Sequence, residues 1–367
     1  MIYAFARFYQ DREAIQDVLG EAEVVVGDLD LRGTPYAVWR RIVEFVDNND
    51  QAAPLIAVFR SRQAGNQEIA DIEKDFATGN ETKYSMIVRA IKAQQCVLFL
   101  GPGAFQCRVD GNTIPFSQAL ALHFEKALNR DGVPYDENHR TDLKYMAQRF
   151  HAKKTYIAGE AGKVAKEFYD LLETSGMLVK DLFGKLARLP FPLIINTNPD
   201  NLLFAELTPA KAVSRYYNLS NSGKPSEQEL QEDKNDAFWQ DKTTIYNIFG
   251  SFDRPQSILF TEANFVNFTK RVFLNNPPLH DRVVNEFDPF KYYLFLGFEF
   301  SQWHLKILFE VFNLVRTEPR SISLYIDKPT IADHEMDYFE REFHCFFCNQ
   351  DMYPLVEALL KKLPTIN

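Results

Sequence analysis

The sequence predicts an α/β protein, with a doubly wound, Rossmann-like parallel sheet that carries a helical insertion and follows a small all-α domain. Three observations lead to this prediction. From about residue 86 onwards, strand-like and helix-like segments alternate, which is typical of parallel strands joined by right-handed crossovers. Several strand-like segments are continuous apolar runs, as expected for strands covered on both faces. Residues 1–75 show only the apolar spacing of helices.

The N-terminal region, residues 1–75, is predicted to be a separate helical domain. Apolar residues recur at helical spacing around Trp39 and Val43. Thr34 is a good helix cap and Pro35 suits the first helical position, so we expect a helix to begin there. Residues 76–85 are polar and indicate a linker, which leaves residues 86–367 for the α/β domain.

Seven strands are predicted in the α/β domain, at 96–100, 193–197, 244–249, 257–260, 292–297, 321–326 and 345–348. Residues 113–187 are predominantly helical in pattern and are long enough to form a helical insertion over one edge of the sheet. Residues 218–237 are polar and indicate a loop.

Composition excludes several classes of function. The formal net charge is −9 and no dense run of Lys and Arg occurs, so nucleic acid is not expected as the primary ligand. No apolar run approaches the ~20 residues that span a bilayer, and the N-terminus lacks signal-peptide features. We therefore expect a cytoplasmic protein. Cys345 and Cys348 have no second cysteine pair, which favours a buried strand and predicts no metal site.

The first motif is the apolar run that ends at Leu100 and continues into Gly101-Pro102-Gly103. A strand followed by Gly-x-Gly lets the backbone turn tightly and approach a pyrophosphate. Strand-to-glycine turns also occur in folds that bind no nucleotide. The motif alone therefore decides nothing.

The second motif is the apolar run that leads into Thr197-Asn198-Pro199-Asp200. It lies where a strand ends, and open α/β sheets place their ligand crevice at the carboxyl ends of strands. Asn198 and Asp200 can bind a ribose and orient a water there. They can equally form an Asx turn that caps the next helix. We expect this corner to face the glycine turn across one cleft.

Two further runs end in Phe249-Gly250-Ser251 and in Gly297, with Thr261-Glu262 between them. Taken in order, the four motifs resemble those of the SIR2-like family, including its NAD-consuming members in bacterial antiphage defence. The resemblance implies NAD or an ADP-ribose-type nucleotide as ligand. It also implies roles for individual residues: Gly101, Gly103 and Ala104 at the phosphates; Thr197, Asn198 and Asp200 at the nicotinamide ribose, with Asn198 and Asp200 as catalytic candidates; and Ser251 and Gly297 along the rest of the nucleotide.

The sequence departs from the family pattern at its most important position, because Phe249 stands where the family has a histidine. That histidine acts as a general base, which typically contributes ~10²–10⁴-fold to the rate. Pro102, Phe105, Pro199 and Gln302 also replace the usual residues, and Phe105 is large enough to fill space that a ligand needs. His280 and His304 are the two candidate substitutes, and we expect His304 to lie nearer the sheet edge.

The N-terminal region resembles an effector-associated domain, through segments that contain Tyr9, Gly33, Trp39 and Pro54. Such domains are small helical adaptors that pair with a matching copy on a partner protein. The resemblance therefore implies such a partner, with homo-oligomers as a further possibility. A Trp on an amphipathic helix is equally explained as a core residue.

Three interpretations of function follow. We favour a SIR2-like module of a bacterial conflict system that binds NAD or a derived nucleotide, with degenerate catalysis because of Phe249. The alternative is an active NAD+ glycohydrolase that depletes NAD during phage infection, with Asn198 and Asp200 positioning water. A protein deacylase is disfavoured, because that branch needs the histidine and a four-cysteine zinc site. The sequence leaves enzymatic activity open.

Overall fold

The computed structural model describes residues 5, 8–24, 31–32, 35–48, 52–65, 82–153, 160–208, 210–218, 227–287, 291–312, 314, 324–327, 333–343, 345–348 and 351–363.

The described strands are β1 Cys96–Leu100, β2 Gln106–Val109, β3 Asn112–Pro115, β4 Leu193–Asn196, β5 Ala212–Tyr216, β6 Thr243–Asn247, β7 Tyr292–Leu296, β8 Leu324–Ile326 and β9 Cys345–Phe347. The described helices are α1 Arg12–Glu21, α2 Pro35–Asn48, α3 Ala52–Arg62, α4 Thr82–Lys92, α5 Phe116–Arg130, α6 Leu143–Lys153, α7 Glu160–Thr174, α8 Asp181–Leu186, α9 Leu202–Glu206, α10 Glu227–Asp233, α11 Asp236–Trp239, α12 Glu262–Phe273, α13 Asp281–Val284, α14 Trp303–Val311, α15 Asp333–Phe343 and α16 Met352–Lys362.

Seven parallel strands form one sheet in the order β5-β6-β4-β1-β7-β8-β9, and β2 pairs with β3 in a separate antiparallel hairpin. The strand order reverses at β1, whose neighbours are β4 and β7. Leu100 at the end of β1 pairs with Asn196 of β4 and with Leu296 of β7, so these three strands end at the same level. A reversal of this kind opens a crevice at the carboxyl ends of the strands, where α/β proteins bind their ligands.

Helices cover both faces of the sheet. Within β1, Leu98 and Leu100 pack into one buried cluster, whereas Val97 and Phe99 pack into the other. The first cluster includes residues of α4, α5, α7, α8 and α16, and the second includes residues of α12, α14 and α15. Since alternate side chains of a strand point to opposite faces, this arrangement accounts for the continuous apolar runs. The prediction of a doubly wound α/β sheet is confirmed.

The N-terminal helices α1 to α3 have a hydrophobic cluster of their own. Trp39 is fully buried in it, and its indole Nε1 donates to the carbonyl oxygen of Tyr9 at 3.0 Å. Trp39 is therefore a core residue of this cluster. The helix α2 begins at Pro35 as predicted, while Thr34 lies outside the described residues. The helix α4 starts at Thr82, inside the predicted linker, and residues 76–81 are not among those described.

Two predicted elements were wrong. Residues 257–260 do not form a strand. Among them, only Leu259 has a backbone hydrogen bond to the segment that follows β6, where its amide donates to Phe249 O at 3.0 Å. The amides of Phe260 and Thr261 donate instead to Asn264 Oδ1, which caps α12. Residues 218–237 are not a simple loop, since α10 lies within them and α11 begins within them. Residues 219–226 lie outside the described residues. The stretch predicted as a helical insertion, residues 113–187, contains α5 to α8, and β3 lies at its start.

Among the described residues, no helix has the length and apolar character needed to cross a membrane.

Candidate functional site

A cavity of about 440 Å³ opens at the carboxyl edge of the sheet. This volume falls within the ~300–1,000 Å³ range of small-molecule pockets. Three parts of the chain build its wall. The sheet edge contributes Pro102, Thr197, Asn198, Pro199 and Phe249; the helical insertion contributes Pro115, Phe116, Ser117, Gln118 and Thr141 to Lys144; and the α12–α14 side contributes Ile258, Leu259, Phe260, Phe265, Glu299, Gln302, His304 and Leu305.

The glycine turn and the Asn-Pro-Asp corner lie in direct contact. Asn198 Nδ2 donates to Gly101 O at 2.9 Å and to Asn196 Oδ1 at 3.2 Å. The Thr197 hydroxyl and amide both donate to Leu100 O, at 2.8 and 3.0 Å. The two corners therefore meet as predicted, but hydrogen bonds join them where a cleft was expected. Thr197 and Asn198 still border the cavity.

The amides of the glycine turn are satisfied by the protein itself. Gly101 N donates to Leu296 O at 2.8 Å, Gly103 N to Gly297 O at 2.9 Å, and Ala104 N to Gly101 O at 3.1 Å. A Cβ added at Gly101 would lie 2.2 Å from Gly297 O, so this glycine is required for the close approach of β1 and β7. All three residues lie behind the cavity wall. A phosphate could be bound by these amides only after their present hydrogen bonds were broken.

Asp200 also lies behind the wall and is only 1% exposed. Its Oδ1 accepts from Leu202 N at 2.9 Å, which is an Asx turn. Asn196 Nδ2 donates to Oδ2 at 3.4 Å, and Asn247 Nδ2 donates to the Asp200 carbonyl oxygen at 3.1 Å. Burial raises the pKa of the Asp200 carboxyl to about 6. These contacts match the structural interpretation of the motif and keep the carboxylate out of the cavity.

Ser251 and Gly297 serve the turns at the ends of β6 and β7. Ser251 N donates to Ser257 Oγ at 3.0 Å, and Ser251 Oγ accepts from Asp253 N at 3.2 Å. Gly297 has a φ of +68°, and its amide donates to Asp327 Oδ2 at 2.8 Å. Burial raises the pKa of Asp327 to about 7. Neither Ser251 nor Gly297 is part of the cavity wall.

Phe249 does line the cavity, as do Thr197 and Asn198. Its ring packs edge-on against Phe265 and Phe268, with centroids 5.1 and 5.3 Å away. The side of the wall that the family resemblance assigns to a histidine is therefore an apolar aromatic surface.

Phe105 does not fill the cavity. It is 1% exposed, belongs to the hydrophobic cluster on one face of the sheet, and stacks on Phe116 with centroids 4.3 Å apart. Phe116 in turn lies in the wall. The bulky residue of the first motif thus supports the cavity from behind and leaves its space open.

Sequence reasoning missed the contribution of the helical insertion. Lys144 of α6 lies in the wall, and its Nζ forms an ion pair with Glu262 Oε1 at 2.9 Å. Trp303 Nε1 donates to Glu262 Oε2 at 2.9 Å, so α6, α12 and α14 are joined at one carboxylate. No motif marks Lys144 in the sequence, and only the folded position of the insertion reveals it.

His304, one of the two candidate substitutes, lies in the wall on α14. It is 7% exposed, stacks on Phe265 with centroids 4.1 Å apart, and lies 5.8 Å from Phe249. Its Nδ1 is buried and has no hydrogen-bond partner among the described residues. Burial lowers the pKa of His304 to about 3, and the charge of Lys144 adds to this effect. His280 instead accepts from Arg282 N at the start of α13, outside the wall.

The reversed strand order and the cavity at the carboxyl edge define a Rossmann-like α/β domain. Within it, residues 192–346 match the family model described as a SIR2-like domain. This stretch of the chain is therefore similar to the SIR2-like family, as the motifs predicted. The match runs from the start of β4 into β9 and leaves the glycine turn after β1 outside it. A search of curated proteins found no match.

Because of this match, an NAD-related molecule is the ligand to which the lining of the cavity is compared. The cavity wall contains Asn198, Lys144 and His304, whose Nδ1 has no partner among the described residues. This polar lining fits a nucleoside-sized group. The glycine turn, with its amides already bonded, does not offer a free phosphate cradle. Within the described part of the chain, no group of three or more His, Cys, Asp and Glu side chains is placed to hold a metal ion.

Proposed function

We propose that the SIR2-like domain binds NAD or an NAD-derived nucleotide in this cavity, and that it lacks the base-catalysed turnover of its family. The observation that carries the proposal is the position of Phe249. Its ring lies in the wall of the same cavity as Thr197 and Asn198, the side chains that the resemblance assigns to the nicotinamide ribose. A phenyl ring accepts no proton, and the loss of a general base typically costs ~10²–10⁴-fold in rate.

Other groups near the cavity are poor replacements for the missing base. Asp200 is held in an Asx turn behind the wall. His304 lies in the wall, but a general base works best when its pKa is near the operating pH, and burial holds the pKa of His304 at about 3. Binding without rapid hydrolysis is therefore the function that the described side chains support best.

A single substitution tests this proposal. Phe249→His restores the family residue, and Phe249→Leu is the matched control that adds no proton acceptor. We expect the wild type to bind NAD or ADP-ribose in isothermal titration and to release no measurable nicotinamide. Phe249→His should then release nicotinamide at least about 10²-fold faster than Phe249→Leu. Rapid release by the wild type would contradict the proposal.

The second candidate is an active NAD+ glycohydrolase that depletes NAD during phage infection. It is favoured by the presence of Asn198 and the carboxylate of Glu299 in the same wall. Glu299 Oε2 accepts from Gln302 Nε2 at 2.9 Å, which fixes its orientation. Positioned polar groups contribute to catalysis even where one base is missing. This candidate requires nicotinamide release that is lost in both Glu299→Gln and Asn198→Ala.

The N-terminal helices are proposed to recruit the protein to a partner that carries a matching effector-associated domain, as part of a bacterial conflict system. The separate hydrophobic cluster of α1 to α3 supports a unit with its own core. The test is co-purification of the full chain with the products of neighbouring genes, followed by a phage challenge of cells that carry the operon. Full protection by an operon that lacks this chain would contradict the proposed role.

A further inference from the structure

His304 is the second residue of α14, and it reaches the cavity from the face of the sheet that α12 and α14 cover. Its ring stacks on Phe265 at an interplanar angle of 28° and lies near the ring of Phe249. Two aromatic side chains thus fix the plane of the imidazole. A side chain held in this way is preorganised, because each of its ring nitrogens keeps a fixed direction.

The Nδ1 atom of His304 has no partner in the part of the chain that the structure describes. Buried polar side-chain atoms are hydrogen-bonded in the large majority of cases, and each exception requires a reason. A molecule in the cavity cannot reach Nδ1, which is closed off from solvent, but it can reach the other ring nitrogen, Nε2, which is not among the fully buried atoms. Asn198 lies in the same wall, but its Nδ2 group already donates to Gly101 O and Asn196 Oδ1.

We propose that His304 is a ligand-binding residue of the cavity, and that its neutral imidazole forms a hydrogen bond with an uncharged polar group of the nucleotide, such as a ribose hydroxyl. This inference rests on the proposed nucleotide-binding function. In a neutral imidazole each nitrogen either donates or accepts, depending on the tautomer, so the nitrogen that faces the cavity suits a hydroxyl, which can do both. His304 would then contribute to recognition of the nucleotide, with no part in proton transfer.

The surroundings of His304 keep it neutral. Phe249 and Phe265 face it without charge, and burial is the main cause of its lowered pKa. Lys144 on α6 and Glu262 on α12 are the charged groups that act on it, with opposite effects, and they form an ion pair with each other. Glu299 lies in the same wall just before α14. A role in hydrogen bonding therefore persists over the physiological pH range, whereas an imidazole with so low a pKa is a weak general base.

The experiment compares three variants of the full chain by isothermal titration with NAD and with ADP-ribose. His304→Phe keeps the stack and removes both ring nitrogens. His304→Asn restores a donor and an acceptor but no titratable base. His123→Phe is the matched control, because His123 stacks on Phe168 with centroids 4.4 Å apart and lies outside the wall. Loss of one hydrogen bond to the ligand should weaken binding about tenfold in His304→Phe. His304→Asn and His123→Phe should stay within about threefold of the wild type.

Thermal unfolding without ligand separates a ligand-binding role from a structural one. Replacing an unsatisfied buried polar atom by an apolar group relieves its desolvation cost. His304→Phe should therefore have the same or a higher Tm while binding more weakly, whereas a structural histidine would lose both together. A fall in Tm alongside the affinity overturns the inference.

The remaining outcomes distinguish the two proposals. If the wild type binds a nucleotide and His304→Phe binds it equally well, the inference about His304 is wrong and the proposed function stands. If His304→Asn binds normally but abolishes nicotinamide release, His304 is a base and the inference is wrong. If the wild type binds neither NAD nor ADP-ribose, both proposals fail.

Discussion

The corner between β1, β4 and β7 and the aromatic wall between α12 and α14 border the same cavity but differ in how their polar atoms are used. At the corner, the amides of Gly101 and Gly103 and the Nδ2 group of Asn198 are all bonded within the protein. At the wall, His304 Nδ1 is buried without a partner among the described residues.

This difference shows that a family motif can be retained for packing. The corner residues hold three strand ends together, which any Rossmann-like sheet of this topology requires. The wall, by contrast, carries side chains from segments without a motif, such as Lys144 and His304. The polar atoms that remain available to a ligand therefore belong to the wall, which no sequence motif marks.

The largest effect expected at the corner is that of Gly101→Ala. The added methyl carbon would lie 2.2 Å from Gly297 O and 2.7 Å from the Phe298 Cα, so β1 and β7 would have to separate. Overpacking that displaces backbone typically costs 1–3 kcal/mol or more, and we expect about 3 kcal/mol or above in the free energy of unfolding. Urea denaturation measures it.

The control for this prediction is Gly20→Ala in α1, where nothing lies within 4 Å of the added carbon. In a helix this change should stabilise by about 0.5–1 kcal/mol. Unchanged stability in Gly101→Ala would show that the corner is loose enough to open for a phosphate. The distinction between the corner and the wall would then be lost.

The second prediction concerns the pH dependence of stability through Asp200. Its pKa is raised to about 6 in the folded protein, from 3.8, so the folded state favours the protonated carboxyl. The corresponding stabilisation is present below pH 4 and is lost as the pH rises through about 6. At neutral pH the charged, buried carboxylate should cost up to about 3 kcal/mol relative to Asp200→Asn.

The measurement is the free energy of unfolding of both proteins at several pH values between 4 and 8. The advantage of Asp200→Asn over the wild type should grow with pH across this range. Asparagine can still accept from Leu202 N, so the Asx turn is kept. A difference that does not vary with pH would mean that Asp200 is solvated, and so lies nearer the cavity than its contacts indicate.

Asn198→Ala should destabilise the protein by about 2 kcal/mol. It removes one hydrogen bond from each of two acceptors, since Gly101 O keeps the Ala104 amide and Asn196 Oδ1 keeps the amide of residue 198, and each lost bond typically costs about 0.5–1.5 kcal/mol. Denaturation and NAD titration are measured on the same protein. Loss of binding with unchanged stability would assign Asn198 to the ligand and would contradict its structural role at the corner.

The sequence predicted the sheet well where burial is complete. Strands β1, β4 and β7 are apolar on both faces, and each was predicted to within a few residues. Strand β5 was missed, because this edge strand has half-buried polar residues such as Ser214 and Arg215. Residues 257–260 were taken for a strand because they are apolar, but they are buried against the cavity and the start of α12.

The candidate site was less predictable than the fold. The motifs located the right edge of the sheet, and Thr197, Asn198 and Phe249 do line the cavity. Gly101 and Asp200 belong to the same motifs, yet neither lines the cavity. A sequence pattern does not distinguish an atom that is bonded to a ligand from one that is bonded to a neighbouring strand. The Lys144 contribution depends on how the helical insertion folds back, which no local pattern records.

The smallest effect is expected from Glu262→Gln, a substitution at the aromatic wall. This change removes the ion pair with Lys144, but a glutamine oxygen can still accept from Trp303 Nε1. The side chain of Glu262 is 52% exposed, and solvent-exposed pairs contribute roughly 0–1 kcal/mol. We therefore expect a destabilisation below about 1 kcal/mol that shrinks further at high salt.

The same variant shows whether the wall is preorganised by this ion pair. If Phe265 and Phe249 hold His304 in place, as the stacking distances indicate, the affinity for NAD should change by less than about threefold in Glu262→Gln. A loss of affinity as large as that of His304→Phe would mean that the pair between α6 and α12 positions the imidazole. Rigidity at the wall would then depend on a charged contact with the helical insertion, whereas the corner is held by backbone hydrogen bonds between its strands.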